Sequence, residues 1–104
     1  MQFIETSIFT REIAELLTDE EYRRLQLWLL FRPDAGALIR GSGGLRKVRW
    51  RSRGGGKSGG VRIIYYWDAG DEIYMLFAYK KGKQEDLSPQ QLNALKTIVK
   101  EYLS

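Results

Sequence analysis

Val61-Arg62-Ile63-Ile64-Tyr65-Tyr66-Trp67 places six β-branched or aromatic side chains in seven consecutive positions. Such a run fits the pleated surface of a sheet and carries no helical periodicity. Neighbouring strand residues point to opposite faces and one face must be buried, so most of Tyr65, Tyr66 and Trp67 are expected in the core. Arg62 is the one charge in the run, and burying it is costly unless it is paired or meets a ligand. Two readings follow: a salt bridge to Glu5 or Glu72 on another strand, or an anion-binding role, which is the one favoured.

Other segments fall into place around this strand. Residues 3–8 read as a first strand, and Phe9 to Leu17 as a helix with Phe9, Ile13, Leu16 and Leu17 on one side. Thr18-Asp19-Glu20-Glu21 matches a capping box, and Tyr22, Leu25, Leu29 and Leu30 continue at helical spacing until Pro33. Leu45 to Arg51 and Ile73 to Tyr79 are further strand signals. The short, glycine-bearing Ala69-Gly70-Asp71 predicts a hairpin between Val61–Asp68 and Ile73–Tyr79. Ser88-Pro89-Gln90-Gln91 is a second capping box, opening a helix over Pro89 to Leu103. The expected order is β-α-α-β-β-β-α: one α+β domain over residues 1–104, a mainly antiparallel sheet with an N-terminal helical hairpin and a C-terminal helix, the helices on one face.

Charge is distributed unevenly. Between Ala35 and Trp67 lie Arg40, Arg46, Lys47, Arg49, Arg51, Arg53, Lys57 and Arg62, with no Asp or Glu. The rest of the chain has nine basic residues against thirteen acidic ones, so all of the +4 net charge arises from one third of the sequence. That pattern suits a polyanionic partner, and the interleaved Trp50, Tyr65, Tyr66 and Trp67 could stack on exposed bases. Against this stand a solvated surface for the charges and a buried core for the aromatics.

Several chemistries are disfavoured. The chain has neither cysteine nor histidine, which removes disulfides and the usual nitrogen and sulfur ligands of zinc; its carboxylates do not cluster, so neither metal nor cofactor is expected. Gly54-Gly55-Gly56-Lys57-Ser58 is spaced like part of a phosphate-binding loop, but its first glycine position holds Arg51 and a strand follows it. Gly41-Ser42-Gly43-Gly44 fails as a dinucleotide fingerprint, since Arg46 occupies the last glycine position. No apolar run approaches the ~18 residues of a membrane span, and the N-terminus lacks a secretory pattern, so a cytoplasmic protein away from membranes is expected. Glycines in the stretch from Ser52 to Gly60 suggest a mobile loop.

Three blocks, Gly43-Gly44-Leu45-Arg46-Lys47-Val48-Arg49, Gly59-Gly60-Val61-Arg62-Ile63-Ile64-Tyr65-Tyr66 and Tyr79-Lys80-Lys81-Gly82-Lys83-Gln84-Glu85-Asp86-Leu87-Ser88, resemble those of the RelE/HigB superfamily of bacterial type II toxins, in particular its HigB-like branch. The resemblance runs over nearly the whole chain. It implies a ribosome-dependent endoribonuclease cutting translated mRNA in the A site, with mRNA and ribosomal RNA as partners. It also implies a cognate antitoxin, often with a helix-turn-helix domain, and contact with operator DNA only through that complex. By position in the blocks, Arg62 is the expected phosphate clamp and Lys57 a second phosphate contact or the base. Lys81 or Lys83 would supply transition-state charge, and Tyr79 would stack or relay a proton. Arg46, Lys47, Arg49, Arg51 and Arg53 are expected to hold RNA. RelE proper carries a functional tyrosine near its C-terminus with no clear counterpart here, which leaves the proton donor unassigned. Without histidine, proton transfer and charge stabilisation in such an enzyme fall to Lys, Arg and Tyr. The basic stretch fits a non-catalytic RNA-binding protein or an inactive relative of the toxin fold equally well.

Overall fold

The structure, a computed structural model, describes residues 1–51, 60–68 and 70–103. Strand β1 (Gln2–Glu5) leads into helices α1 (Ser7–Leu16) and α2 (Asp19–Phe31), followed by β2 (Ala37–Leu38), β3 (Leu45–Trp50), β4 (Val61–Asp68) and β5 (Glu72–Lys80). Helix α3 (Pro89–Ile98) continues as a π-helical turn, Val99–Leu103. The five strands form one sheet in the order β1-β5-β4-β3-β2. Only the β1–β5 pair is parallel. The expected α+β architecture is therefore present, with β2 as an additional edge strand. Two residues are too few to show a period, which is why β2 leaves no sequence signal.

Local chemistry explains the helix boundaries. Both predicted capping boxes form: the Thr18 hydroxyl accepts from the Glu21 amide at 3.1 Å, and the Ser88 hydroxyl from the Gln91 amide at 3.1 Å. Helix α1 starts two residues earlier than its apolar spacing suggests. Thr6 caps it by accepting from the Phe9 amide at 3.0 Å, while its hydroxyl donates to the Leu76 carbonyl at 2.9 Å. One side chain thus ends β1, starts α1 and ties both to β5.

The helices do not share one face of the sheet, contrary to the expectation from sequence. Phe9 and Ile13 of α1 and Leu25 and Leu29 of α2 pack with Val48, Ile63, Tyr65, Ile73 and Met75 on one face. Leu95 and Val99 cover Leu45, Ile64 and Leu76 on the other. Ile63 and Ile64, adjacent in β4, are both fully buried, which requires a layer on each side. A strand apolar at both parities is the signature of that arrangement.

The alternation in β5 is broken once. Ile64 pairs with Phe77 but Tyr65 pairs with Met75, leaving Leu76 as an extra residue in a bulge. Leu76 and Phe77 consequently both face α3, and every later side chain of β5 is switched to the opposite face. Tyr79 lies on the α3 face for this reason; unbroken alternation from Ile73 would send it under the helical hairpin.

Candidate nucleic-acid interface

Register aligns a row of polar side chains across the centre of the sheet. Arg49 of β3 lies opposite Arg62 of β4, and Arg62 lies opposite Tyr79 of β5, all on the α3 face. Lys47 shares that face, two positions along β3. Directly opposed like charges destabilise a sheet by themselves, so the Arg49–Arg62 neighbours are an arrangement that an anion stabilises. Arg62 is only 5% exposed and Tyr79 6%, whereas Arg49 is exposed. Neither acid suggested as a salt-bridge partner for Arg62 serves as one among the described residues. Glu5 accepts from Thr10 and Tyr22, and Glu72 accepts from Tyr74.

The end of this row is shaped by Gly60. Its φ is +151°, and a Cβ there would come within 3.4 Å of Arg62 Nη1 and 3.5 Å of the Trp50 carbonyl. The Lys81 amide donates to the Gly60 carbonyl at 3.0 Å, closing β4 against the segment after β5. The positive φ is what calls for glycine at position 60; an added carbon would meet the guanidinium and the carbonyl only at ordinary contact distance.

Asp86, just before α3, faces the same group. Its carboxylate accepts from Lys47 Nζ at 2.7 Å. That hydrogen bond and charge, with a smaller contribution from Arg62, hold the Asp86 carboxyl below its ordinary range. Burial raises the Tyr79 hydroxyl above its ordinary value, and the Asp86 charge adds to this while Arg62 opposes it. Tyr79 is thus a neutral donor at physiological pH. The loop carrying Asp86 is fixed by Gln84, whose amide donates to the Asp86 carbonyl and to Gln91 Oε1, each at 2.8 Å. Gln91 in turn completes the cap of α3 by accepting from the Ser88 amide at 2.9 Å. Asp86 was not singled out from sequence, since Glu85-Asp86 reads as an ordinary acidic loop. Only the packing of α3 brings it to Lys47.

Beside this row runs a groove of about 640 Å³ whose lining includes Glu12, Phe77, Tyr79, Lys83 and Gln91. Glu12 Oε1 accepts from the Ala78 amide at 3.1 Å, covering β5 where β1 has ended. Burial nevertheless holds the Glu12 carboxyl above its usual value. Lys81 is half-buried and Lys83 exposed, on the turn around Gly82.

The remaining candidates separate. Arg46 points to the hairpin face, where its Nη1 donates to the carbonyls of Asp34 at 2.9 Å and Gly36 at 2.8 Å. It braces the connection between α2 and β2 and is not brought to the Arg62 row. Arg51 is exposed just beyond β3. Lys57 and Arg53 lie outside the described residues. Of the interleaved aromatics, Tyr65 is fully buried, donating to the Pro33 carbonyl and accepting from the Gly36 amide, both at 2.8 Å. Trp50 packs on Trp28 at 5.5 Å between ring centroids. Tyr66 and Trp67 are half-buried. Among the described residues no group of three His, Cys, Asp or Glu could hold a metal ion, and no helix is long and apolar enough to cross a membrane.

A family model described as the RelE toxin of the RelE/RelB toxin–antitoxin system matches residues 37–104, which contain β2 to β5, α3 and every member of the Arg62 row. With that match over more than half its length, the chain belongs to the RelE toxin family.

Proposed function

We propose that this toxin, of the HigB-like branch, is a ribosome-dependent endoribonuclease acting in the cytoplasm on translated mRNA in the A site. The observation that carries the reading is the transverse row Arg49–Arg62–Tyr79, in which two arginines are register partners on one face of the sheet, with Lys47 on the same face. Arg62 and Arg49 clamp the scissile phosphate and stabilise its transition-state charge. Lys81 and Lys83 add positive charge from the turn after β5, and Lys57 is the further candidate for phosphate contact or base. Tyr79, held neutral, donates a hydrogen bond or a proton toward the leaving 5′-oxygen. Lys47 and Arg51 hold the surrounding RNA. The antitoxin carries a helix-turn-helix domain and brings the complex to operator DNA.

The test is cleavage by purified protein of an mRNA paused on ribosomes, scored by primer extension. Cuts within the A-site codon, absent without ribosomes, are expected. Binding to ribosomes with the message left intact would replace this reading by that of a non-catalytic RNA-binding relative.

A further inference from the structure

The sheet narrows at the β5 end of the Arg62 row. Strand β1 pairs with β5 only as far as Met75, so among the described residues no strand covers the outer edge of Ala78, Tyr79 and Lys80. The groove of about 640 Å³ occupies that place, and Tyr79 belongs both to its lining and to the row. Followed from β3 to β5, the row runs from Arg49 through Arg62 and Tyr79 into the groove. A phosphate held by the two arginines therefore has the nucleoside on its Tyr79 side directed there. With Tyr79 facing the leaving 5′-oxygen, that nucleoside is the one that follows the cut.

The lining suits a flat, uncharged, hydrogen-bonding group. Its charges balance, Glu12 and Glu15 against Lys80 and Lys83, which fits a base better than a second phosphate. Phe77 and Tyr79, with ring centroids 5.9 Å apart, supply aromatic surface for stacking. Two polar atoms in the lining are unused. Glu12 Oε1 is engaged by the Ala78 amide, but Oε2 has no partner among the described residues. Gln91 Oε1 accepts from Ser88 and Gln84, which fixes the side chain and leaves its Nε2 donor free among the same residues. Burial disfavours the Glu12 charge, so an N–H donor at Oε2 stabilises it. Bases answer this pair unequally. The exocyclic amine of cytosine, adenine or guanine brings N–H groups to the carboxylate, and a neighbouring ring nitrogen or carbonyl accepts from Gln91. Uracil has one N–H on that edge, flanked by two carbonyl oxygens that a carboxylate repels.

We propose that the groove holds the base of the nucleotide following the cut, and that Glu12, assisted by Gln91, admits amino-bearing bases there and rejects uracil. The position of that base relative to the cut rests on the nuclease reading of the Arg62 row; the pocket and its selectivity are open to a test without cleavage.

The experiment compares the unsubstituted chain with Glu12→Gln in two assays. The substitution keeps an oxygen for the Ala78 amide and removes a charge that burial disfavours, so thermal unfolding should not be lowered. In messages paused on ribosomes and differing only at the nucleotide after the cut, the unsubstituted chain should cut before cytidine about tenfold faster than before uridine. Glu12→Gln, which presents an N–H to the uracil carbonyls, should erase or reverse that ratio. In the second assay 5′-CMP and 5′-UMP, whose phosphate stands for the scissile one, are titrated into the chain without ribosomes and followed at the Phe77 and Ala78 amide resonances. CMP should bind about tenfold more tightly than UMP, and the difference should vanish in Glu12→Gln. Equal cutting before cytidine and uridine by the unsubstituted chain, or a cytidine preference retained by folded Glu12→Gln, would overturn the proposal and leave the nuclease reading standing. CMP and UMP acting alike at these amides would overturn it also. Selective CMP binding lost in Glu12→Gln, with no message cut, would uphold the pocket and remove the nuclease reading instead.

Discussion

The two faces of the sheet are built from the same strands and differ in what they tolerate. Under the helical hairpin, Phe9, Leu25, Ile63, Tyr65 and Met75 interlock without a charge among them. Under α3 the face is divided. Leu45, Ile64 and Leu76 are covered by Leu95 and Val99, but beyond them Arg49, Arg62, Tyr79 and Lys47 take over. One face is packed as core, and part of the other carries charged and polar side chains at some cost in burial. The bulge at Leu76 makes that division possible by bringing Tyr79 to the charged side.

The largest expected effect is on the hairpin face. Phe9→Ala should lower stability by about 3–5 kcal/mol, measured by urea unfolding, with toxicity lost only through unfolding. A paired test sharpens the comparison, since Arg46 and Arg49 are three residues apart on one strand but face opposite ways. Arg46→Ala should cost about 1–3 kcal/mol of stability by leaving two carbonyls without their donor, and should leave RNA affinity nearly unchanged. Arg49→Ala should weaken RNA binding about tenfold, reduce its salt dependence and leave the free protein at least as stable, since it removes one of two opposed like charges. If both substitutions act alike, the faces are not divided as described.

Smaller effects test the details. Tyr65→Phe should cost about 1–2 kcal/mol through the lost bonds to Pro33 and Gly36. Tyr22, Tyr65 and Tyr79 all have hydroxyls raised above the ordinary tyrosine value, chiefly by burial. A raised acid is neutral in the fold, so its contribution is complete below about pH 10 and lost as pH climbs toward the folded value. Stability should therefore fall above about pH 10, less steeply in Tyr22→Phe, as followed by circular dichroism. The smallest effect belongs to Asp86→Asn, which frees Lys47 from its carboxylate and should strengthen RNA binding about twofold to fivefold. Because the Asp86 carboxyl is held low, its pairing with Lys47 persists above the ordinary carboxylate range and is lost as pH falls through the depressed value.

Much of this was legible in the chain. The run from Val61 to Asp68 matches β4 at both ends, and Thr18 and Ser88 cap their helices as the spacing of hydroxyl and acid or amide requires. The Arg62 position, buried within that run, was the strongest pointer to a site. What sequence withheld was relational. Thr6-Ser7-Ile8 looks strand-like until the threonine hydroxyl finds the Phe9 amide. Alternation around Arg46 and Arg49 shows that they face opposite ways, but not which face holds the site. Parity after Leu76 depends on a bulge set by cross-strand pairing, and the meeting of Asp86 with Lys47 depends on where α3 lands.

The central claim is that the Arg62 row is the place where RNA is cut. Its most direct test is to express the chain inducibly in a bacterium and map mRNA 5′ ends, with Arg62→Ala as control and its folding checked by thermal unfolding. New ends within translated codons, reduced about 100- to 1000-fold in a folded Arg62→Ala protein, are the predicted result. An undiminished set of cuts from the folded variant, or intact messages from an abundant unsubstituted protein, would contradict it.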